Sequence, residues 1–573
     1  MTITTTARPA SRTGRDLPAI VDHATRSHVR AVVVLALFSL LMFLPGLFQV
    51  PPMDRDESRF AQASKQMVET GDYVDIRFLD EVRYKKPVGV YWLQAGVVKT
   101  ARAIGVPDAL TTIGLYRIPS LLGAIGAVLL TYWAALPFVA RRSAVLAALM
   151  MAGSVLLGVE ARLAKTDAVL LFTIIAAMGA LARAYMRYEP DRKDGDRGLV
   201  LPAIFWTAFA AGFLIKGPVI LLFVGLTVLT LAIADRSLQW AKVLRPAAGT
   251  FWFLLLVVPW FFAIVFRSGG SFFAGSVGHD MMLKVASGQE SHGAPPGLYL
   301  LLFWFTFWPG AMLAGMAAPG IWRTRREKGI KFLLAWLVPA WIVFELVVTK
   351  LPHYVLPTYP AIAILIASVV ERGSLSRRFW LELGTLWWLL VPLLMTGAVV
   401  AALVMFTDQL GLLAWPFAAA AVVFGLLAWR QYSSDGAERS LLQALVASLL
   451  IAVTVYAITM PSLSRLFPSV QLAQALGAAD CRRPVAASAG FLEPSLPFLA
   501  GTSTVLASSA GAADFLAQGG CRFALVEGRS EPEFQQRARA IGLRYSAWRR
   551  VEGINYSNGR LVTVTLYRAE AQP

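Results

Sequence analysis

The sequence predicts an α-helical polytopic membrane protein with about thirteen transmembrane helices and a small C-terminal α/β domain. Three observations predict it. Hydrophobic residues make up 57% of the 573-residue chain and charged residues only 15%, against about 25% charged in soluble domains. Long apolar runs recur, and about 20 helical residues cross the hydrocarbon core. The connections between those runs alternate between strongly basic and non-basic. The net charge of +18 sits mainly on Lys and Arg in short loops. That is the positive-inside pattern of a membrane protein, and no nucleic-acid partner is implied.

Residues 1–30 form a basic tail, with Arg8, Arg12, Arg15, Arg26 and Arg30 ahead of the first apolar run. The run at 31–50 is too long for a signal-peptide core and no small-residue cleavage site follows it, so it reads as an uncleaved first helix. Spans are expected at 31–49, 119–139, 143–159, 168–185, 199–215, 218–234, 247–266, 298–318, 332–349, 354–370, 380–405, 412–428 and 441–458. Basic connections include Arg141-Arg142, the 183–197 and 236–245 loops, the cluster from Arg323 to Lys331, and the 372–378 and 430–439 loops. By the Lys/Arg rule these face the cytoplasm. The opposite face then holds 50–118, 160–167, 216–218, 267–297, 350–353, 406–411 and the tail from 459. The expected units are a cytoplasmic tail at 1–30, a transmembrane domain at 31–458 and a periplasmic domain at 459–573, in a bacterial-type inner membrane.

The tail alternates short apolar runs at 484–488, 523–526 and 561–567 with helix-like stretches such as 531–541, which reads as a small α/β fold. Its Cys481 and Cys521 are the only cysteines of the chain; a disulfide and two separate thiols are both open.

Ionisable residues crowd the outer ends of the spans and avoid mid-span positions. Ion-coupled transporters place such groups near the midplane, so the pattern favours a site at the outer interface. In the first outer loop, Asp56 is placed to cap a helix running to about Glu69. Two acids, Asp56 and Glu57, beside Arg59 exceed what a cap needs, and a carboxylate there can take a proton from a hydroxyl. Arg83-Tyr84-Lys85-Lys86-Pro87 leads into an amphipathic stretch at 88–100. Lys86 either meets lipid phosphates, as interfacial lysines usually do, or neutralises the phosphate of a bound donor. The turn from Glu160 to Asp167 packs two acids with Arg162 and Lys165. Lys216, before Gly217-Pro218, fits a membrane anchor or a site residue. The long loop carries His279, Asp280, Lys284, Glu290 and His292; two unlinked histidines are weak evidence for a metal. Lys350-Leu351-Pro352-His353-Tyr354, with Pro357 and Pro360, predicts a kinked helix beside a cavity. No nucleotide-binding loop occurs, so an activated group would arrive on a lipid.

Together these residues resemble the bacterial membrane glycosyltransferases of the GT-C fold, nearest the lipid A aminoarabinose transferases and the protein O-mannosyltransferases. The resemblance rests on Asp56-Glu57-x-Arg59, Arg83-Tyr84 with Lys86-Pro87, Asp167, Lys216-Gly217-Pro218, Lys350-Leu351-Pro352-x-Tyr354 and Asn555-Tyr556-Ser557-Asn558-Gly559. It implies inverting transfer from a polyprenyl-phosphate sugar to a lipid or glycan acceptor of the envelope. Asp56 and Asp167 would be catalytic, and Lys86, Lys284 and Tyr354 would hold the donor phosphate. Relatives of the aminoarabinose branch carry an acid before the Lys-Pro pair, which joins a histidine of the long loop on a metal. Here Lys85 stands there, and a protonated amine cannot ligate, so no metal or other cofactor is expected. Two rival readings are a protein O-mannosyltransferase acting on exported proteins and a non-enzymatic carrier of lipid-linked sugar.

Overall fold

The computed structural model describes residues 16–53, 55–188, 198–273, 293–407 and 411–570. The expected apolar runs fold as helices, because a chain in hydrocarbon must satisfy its own backbone hydrogen bonds. Seven are long and apolar enough to cross a membrane, or eight when Leu298–Thr306 and Ala311–Thr324, which meet at 119°, count as one broken span. His28–Phe43, Val200–Lys216 and Val219–Asp235 are shorter apolar helices. Length and apolarity thus support seven or eight of the thirteen expected spans in a multi-pass membrane protein. The run at 143–159 is two helices, Arg141–Gly153 and Val155–Glu160, divided at Ser154, whose hydroxyl accepts from the Leu157 N–H.

Two helices fix the geometry that follows. Ile113–Ala135 starts earlier than the sequence suggested, which brings Arg117 inside it. It packs on Asp167–Arg187 through small residues: a Cβ on Gly123 would lie 2.9 Å from the Val169 Cα, and one on Gly179 would lie 2.4 Å from the Trp133 ring. Such close backbone approach is how membrane helices associate without a hydrophobic driving force. The prolines of the 352–360 stretch do not kink a helix interior as expected. Pro352–Tyr354 and Leu356–Thr358 are short 3₁₀ turns, and Pro360 sits in the first turn of Tyr359–Glu371, where its missing N–H costs nothing.

The tail is a mixed five-stranded sheet. Two short strands, β1 (Arg77–Phe78) and β2 (Glu81–Val82), precede it in the chain. In the tail, β3 (Val485–Ala489) pairs in parallel with β4 (Val505–Leu506) and β5 (Arg522–Glu527). β7 (Arg560–Ala569) runs antiparallel to β5 and to β6 (Tyr545–Asn555), giving the order β4-β3-β5-β7-β6. Side chains alternate between faces. Phe523 and Leu525 pack with Leu472 of helix Pro468–Gly477. Ala524 and Val526 pack with Leu516 and Phe534 of helices Ser509–Ala517 and Glu531–Ala540. Cys481 and Cys521 are joined in a disulfide. The domain rests on helix Arg55–Thr70: Lys65 Nζ donates to the Phe498 carbonyl at 3.0 Å, and Phe498 meets Tyr116 edge-on at 5.2 Å.

Candidate active site

The site begins with the first turn of Arg55–Thr70. Asp56 and Glu57 both lie in that turn, so Asp56 is not the cap the sequence suggested, although a carboxylate there still meets the positive helix end. Their fates diverge. Glu57 is fully buried and accepts from Arg117 Nε at 2.7 Å, Arg117 Nη2 at 3.0 Å, the Met53 N–H at 3.0 Å and the Ala164 N–H at 2.9 Å. Arg117 donates further to the carbonyls of Leu47, Val50 and Pro51. This knot ties the 50–118 loop to the 160–167 turn. Glu57 is therefore an architectural residue, a correction to its place among the site candidates.

Asp56 instead opens into a cavity of about 720 Å³. Arg59 Nη1 at 3.4 Å and Arg83 Nη2 at 3.5 Å approach its Oδ1, and its side chain is half exposed into the cavity. Burial alone would raise its pKa, but the charges of Arg83, Lys165 and Arg59 outweigh that and hold it at about 2. Lys85 and Lys86 also line the cavity.

Asp167, the first residue of its helix, lines the same cavity. Lys216 Nζ donates to its Oδ1 at 2.5 Å, and His353 Nε2 lies 3.6 Å from that oxygen. Lys216 is delivered by the end of helix Val200–Lys216, where Gly217 adopts a positive φ of 64°. The Lys216 ammonium lies 5.6 Å from the centre of the Tyr354 ring. The other ring nitrogen of His353 lies 3.5 Å from Glu160 Oε1, while Glu160 Oε2 is buried and has no hydrogen-bond partner among the described residues. Glu160, Asp167 and His353 offer ligand atoms within 4.8 Å of one another and could hold a metal ion. Lys216 already neutralises Asp167, however, and Lys165 adds a second positive charge beside it; such neighbours repel a divalent ion. Lys85 is exposed, and a protonated amine does not ligate a metal.

Arg162 also lines the cavity and donates to the carbonyls of Pro45, Gly158 and Met42. Asp56, Arg59, Arg83, Lys85, Lys86, Arg162, Asp167, Lys216, His353 and Tyr354 are thus brought together. Two candidates turn elsewhere. The Tyr84 hydroxyl donates to Asp75 at 2.8 Å, and burial with that carboxylate pushes its pKa up to about 12. Lys350 donates to the carbonyls of Glu345 at 2.9 Å and Val347 at 2.5 Å, closing the end of helix Lys328–Leu346. Tyr84 and Lys350 are corrected to structural residues. His279, Lys284 and His292, with Asp280 and Glu290, lie outside the described residues.

Sequence reasoning missed Arg117, whose signal was an arginine two positions before Pro119 in an apolar run. It also missed Glu493 of the tail. Glu493 Oε1 accepts from Asn555 Nδ2 at 2.9 Å and Ser557 Oγ at 2.8 Å, and its Oε2 lies 3.4 Å from Arg55 Nε. It thereby clamps the β6–β7 turn, whose Tyr556 and Ser557 line the cavity.

Residues 33–270 match the family model described as dolichyl-phosphate-mannose-protein mannosyltransferase. The undecaprenyl phosphate-alpha-4-amino-4-deoxy-L-arabinose arabinosyl transferase of Pectobacterium carotovorum is 27% identical over 379 residues, 62% of this chain and 63% of that protein. The protein of the same name from Pseudomonas aeruginosa is 27% identical over 354 residues, 59% of this chain and 60% of its own. The chain's match thus spans less than two thirds of these relatives' length. Among solved structures, ArnT from Cupriavidus metallidurans in the apo state superimposes with a TM-score of 0.71 at 18% identity, covering 94% of this chain and 97% of that one. The same protein bound to undecaprenyl phosphate gives 0.70 at 19% identity, with 94% and 98% covered. The chain therefore has the GT-C fold of the ArnT structures, tail domain included.

Proposed function

We propose that this protein is an inverting membrane glycosyltransferase that moves a sugar from a polyprenyl-phosphate donor to a lipid or glycan acceptor on the periplasmic face of a bacterial inner membrane. One observation carries the reading. Three carboxylates, Asp56, Glu160 and Asp167, and a set of Arg and Lys, drawn from distant stretches of sequence, share one cavity. The donor's anomeric carbon is already activated by its phosphodiester, so the protein must accept a proton and stabilise a departing phosphate. The acceptor oxygen attacks the anomeric carbon, the bond from that carbon to the phosphate oxygen breaks with its electron pair, and the hydroxyl proton passes to Asp56. A carboxyl held at about 2 is a weak base in the free protein. The donor phosphate draws on the same cations, so its arrival restores basicity to Asp56. Lys86 and Tyr354 hold the phosphate, and Lys216 with His353 orients Asp167. The names of the aminoarabinose transferases and of the lipid-bound ArnT structure support the donor class.

A protein acceptor is the second reading, favoured by the match of residues 33–270 to the mannosyltransferase model. Mass spectrometry of envelope lipids, glycans and exported proteins, with and without the gene, tests both. A glycan lost from lipid or polysaccharide supports the first; loss from Ser or Thr of proteins supports the second; no change in any fraction overturns both.

A further inference from the structure

We infer that Glu160 and Tyr456 form a subsite that binds hydroxyl groups of the donor's sugar; the inference rests on the donor reading above. Glu160 ends the helix Val155–Glu160 and lines the cavity, yet it is only 3% exposed. A carboxylate so deeply placed normally fills its lone pairs, as Glu57 does with its four donors. Among the described residues no hydrogen bond reaches Glu160. His353 Nδ1 stops 3.5 Å from Oε1, beyond the usual range, and Oε2 has no donor. Leaving a buried acceptor unpaired is costly, so the position suits a ligand that brings the donor. The last bond of a glutamate turns easily, and either oxygen can serve.

Tyr456, from a distant span, shows the same unfilled capacity. It sits in a π-helical turn, Val453–Thr459, a distortion that recurs at functional sites. Its backbone is pinned against Gly46, where φ is 80° and a Cβ would lie 2.7 Å from the Tyr456 Cβ. The centre of its ring lies 4.1 Å from the guanidinium of Arg162, which donates to the Pro45 carbonyl at 2.7 Å. The ring is thus held in place. Its residue lines the cavity, and no hydrogen bond occupies its hydroxyl among the described residues. Glu160 is close enough that its charge acts on that hydroxyl. A carboxylate that accepts and a phenol that both donates and accepts match the hydroxyls of a sugar ring. The donor's sugar is the one placed to use them. His353 meets Tyr354 edge-on with ring centres 5.1 Å apart, while its Nδ1 faces Glu160. Tyr354 holds the phosphate in the reading above, and a single oxygen joins that phosphate to the sugar.

The test measures lipid binding to the full chain in nanodiscs without acceptor. The probes are polyprenyl phosphates bearing a hexose, a 6-deoxyhexose, a pentose or a hexosamine. Polyprenyl methyl phosphate, a diester of equal phosphate charge without hydroxyls, is the reference. The best-bound sugar lipid should bind about tenfold or more tighter than the methyl diester. Glu160→Gln should cut that ratio about tenfold and Tyr456→Phe about threefold, as for charge-assisted and neutral hydrogen bonds. Unchanged binding of the methyl diester shows that a variant is folded. Tyr456→Phe removes only a hydroxyl, so it decides the matter even if Glu160→Gln does not accumulate. No advantage of any sugar lipid in the unmodified protein overturns the inference, as does a ratio that survives either folded variant. A ratio that disappears in chelator assigns Glu160 to a bound cation and also overturns it. In each of these cases the donor reading stands. If neither the methyl diester nor plain polyprenyl phosphate binds the unmodified protein, the donor reading falls, and this inference with it.

Discussion

Two acid–base knots stand on either side of the 160–167 turn, and they are built differently. Around Glu57, both carboxylate oxygens are filled by Arg117 and two backbone N–H groups. Around Asp167, one oxygen is shared between Lys216 and His353, and the linked Glu160 keeps a buried oxygen with no hydrogen-bond partner among the described residues. A saturated carboxylate has nothing left to offer a substrate, whereas a buried unsatisfied one marks a place where function has overridden stability. The comparison separates the acid that holds the fold from the acids that line the cavity.

The largest effect should come from breaking the saturated knot. Arg117→Met leaves Glu57 as an uncompensated buried charge, at a cost of about 3–5 kcal/mol. The protein should fail to accumulate, which immunoblotting of membranes would reveal; normal accumulation would mean that the knot is dispensable. Asp56→Asn and Asp167→Asn should do the reverse, leaving protein levels near normal while transfer falls by about 10²-fold or more. Retained transfer in either variant would show that its charge is not used.

A smaller effect concerns pH. Asp56 titrates below the ordinary carboxylate value, so its charge and the stability it gains from its cations persist above about pH 4 and are lost as pH falls towards 2. Arg83→Gln removes one of those cations, burial then weighs more, and Asp56 takes its proton at higher pH. The acid limb of kcat/KM, which reports the free enzyme, should move upward in that variant. An unmoved limb assigns it to another group. The smallest effect is expected for Lys350→Met, because Lys350 is spent on helix-end carbonyls. Donor affinity should change by less than about twofold while thermal stability drops slightly; a large loss of affinity would place this lysine in the site after all.

Much of this was legible in the sequence because it depends on local pattern. Apolar runs gave helices, alternating runs gave strands of the tail, and acids and bases at outer helix ends gave most of the cavity. Asp56, Lys86, Asp167 and Lys216, which line that cavity, were singled out this way. Contacts between distant positions were not legible. Glu57 and Arg117 stand 60 residues apart, and only the packing of Ile113–Ala135 brings them together. Tyr84 and Lys350 misled for the same reason, since a motif fixes a residue's place in the chain but not the direction of its side chain. The prolines near 357 were read as a kink because composition does not distinguish a bent helix from two 3₁₀ turns ahead of a straight one.

The β6–β7 turn gives the tail a further meaning. Glu493 grips Asn555 and Ser557 with one oxygen and reaches Arg55, the neighbour of Asp56, with the other. A soluble-type fold thus supplies one wall of a chamber whose other walls are membrane helices. The protein is modular in cores but not in its workspace. An engineer who grafts another tail onto these helices replaces part of the reaction vessel along with its cover, so a chimera inherits a new vessel shape even when every catalytic side chain is left untouched.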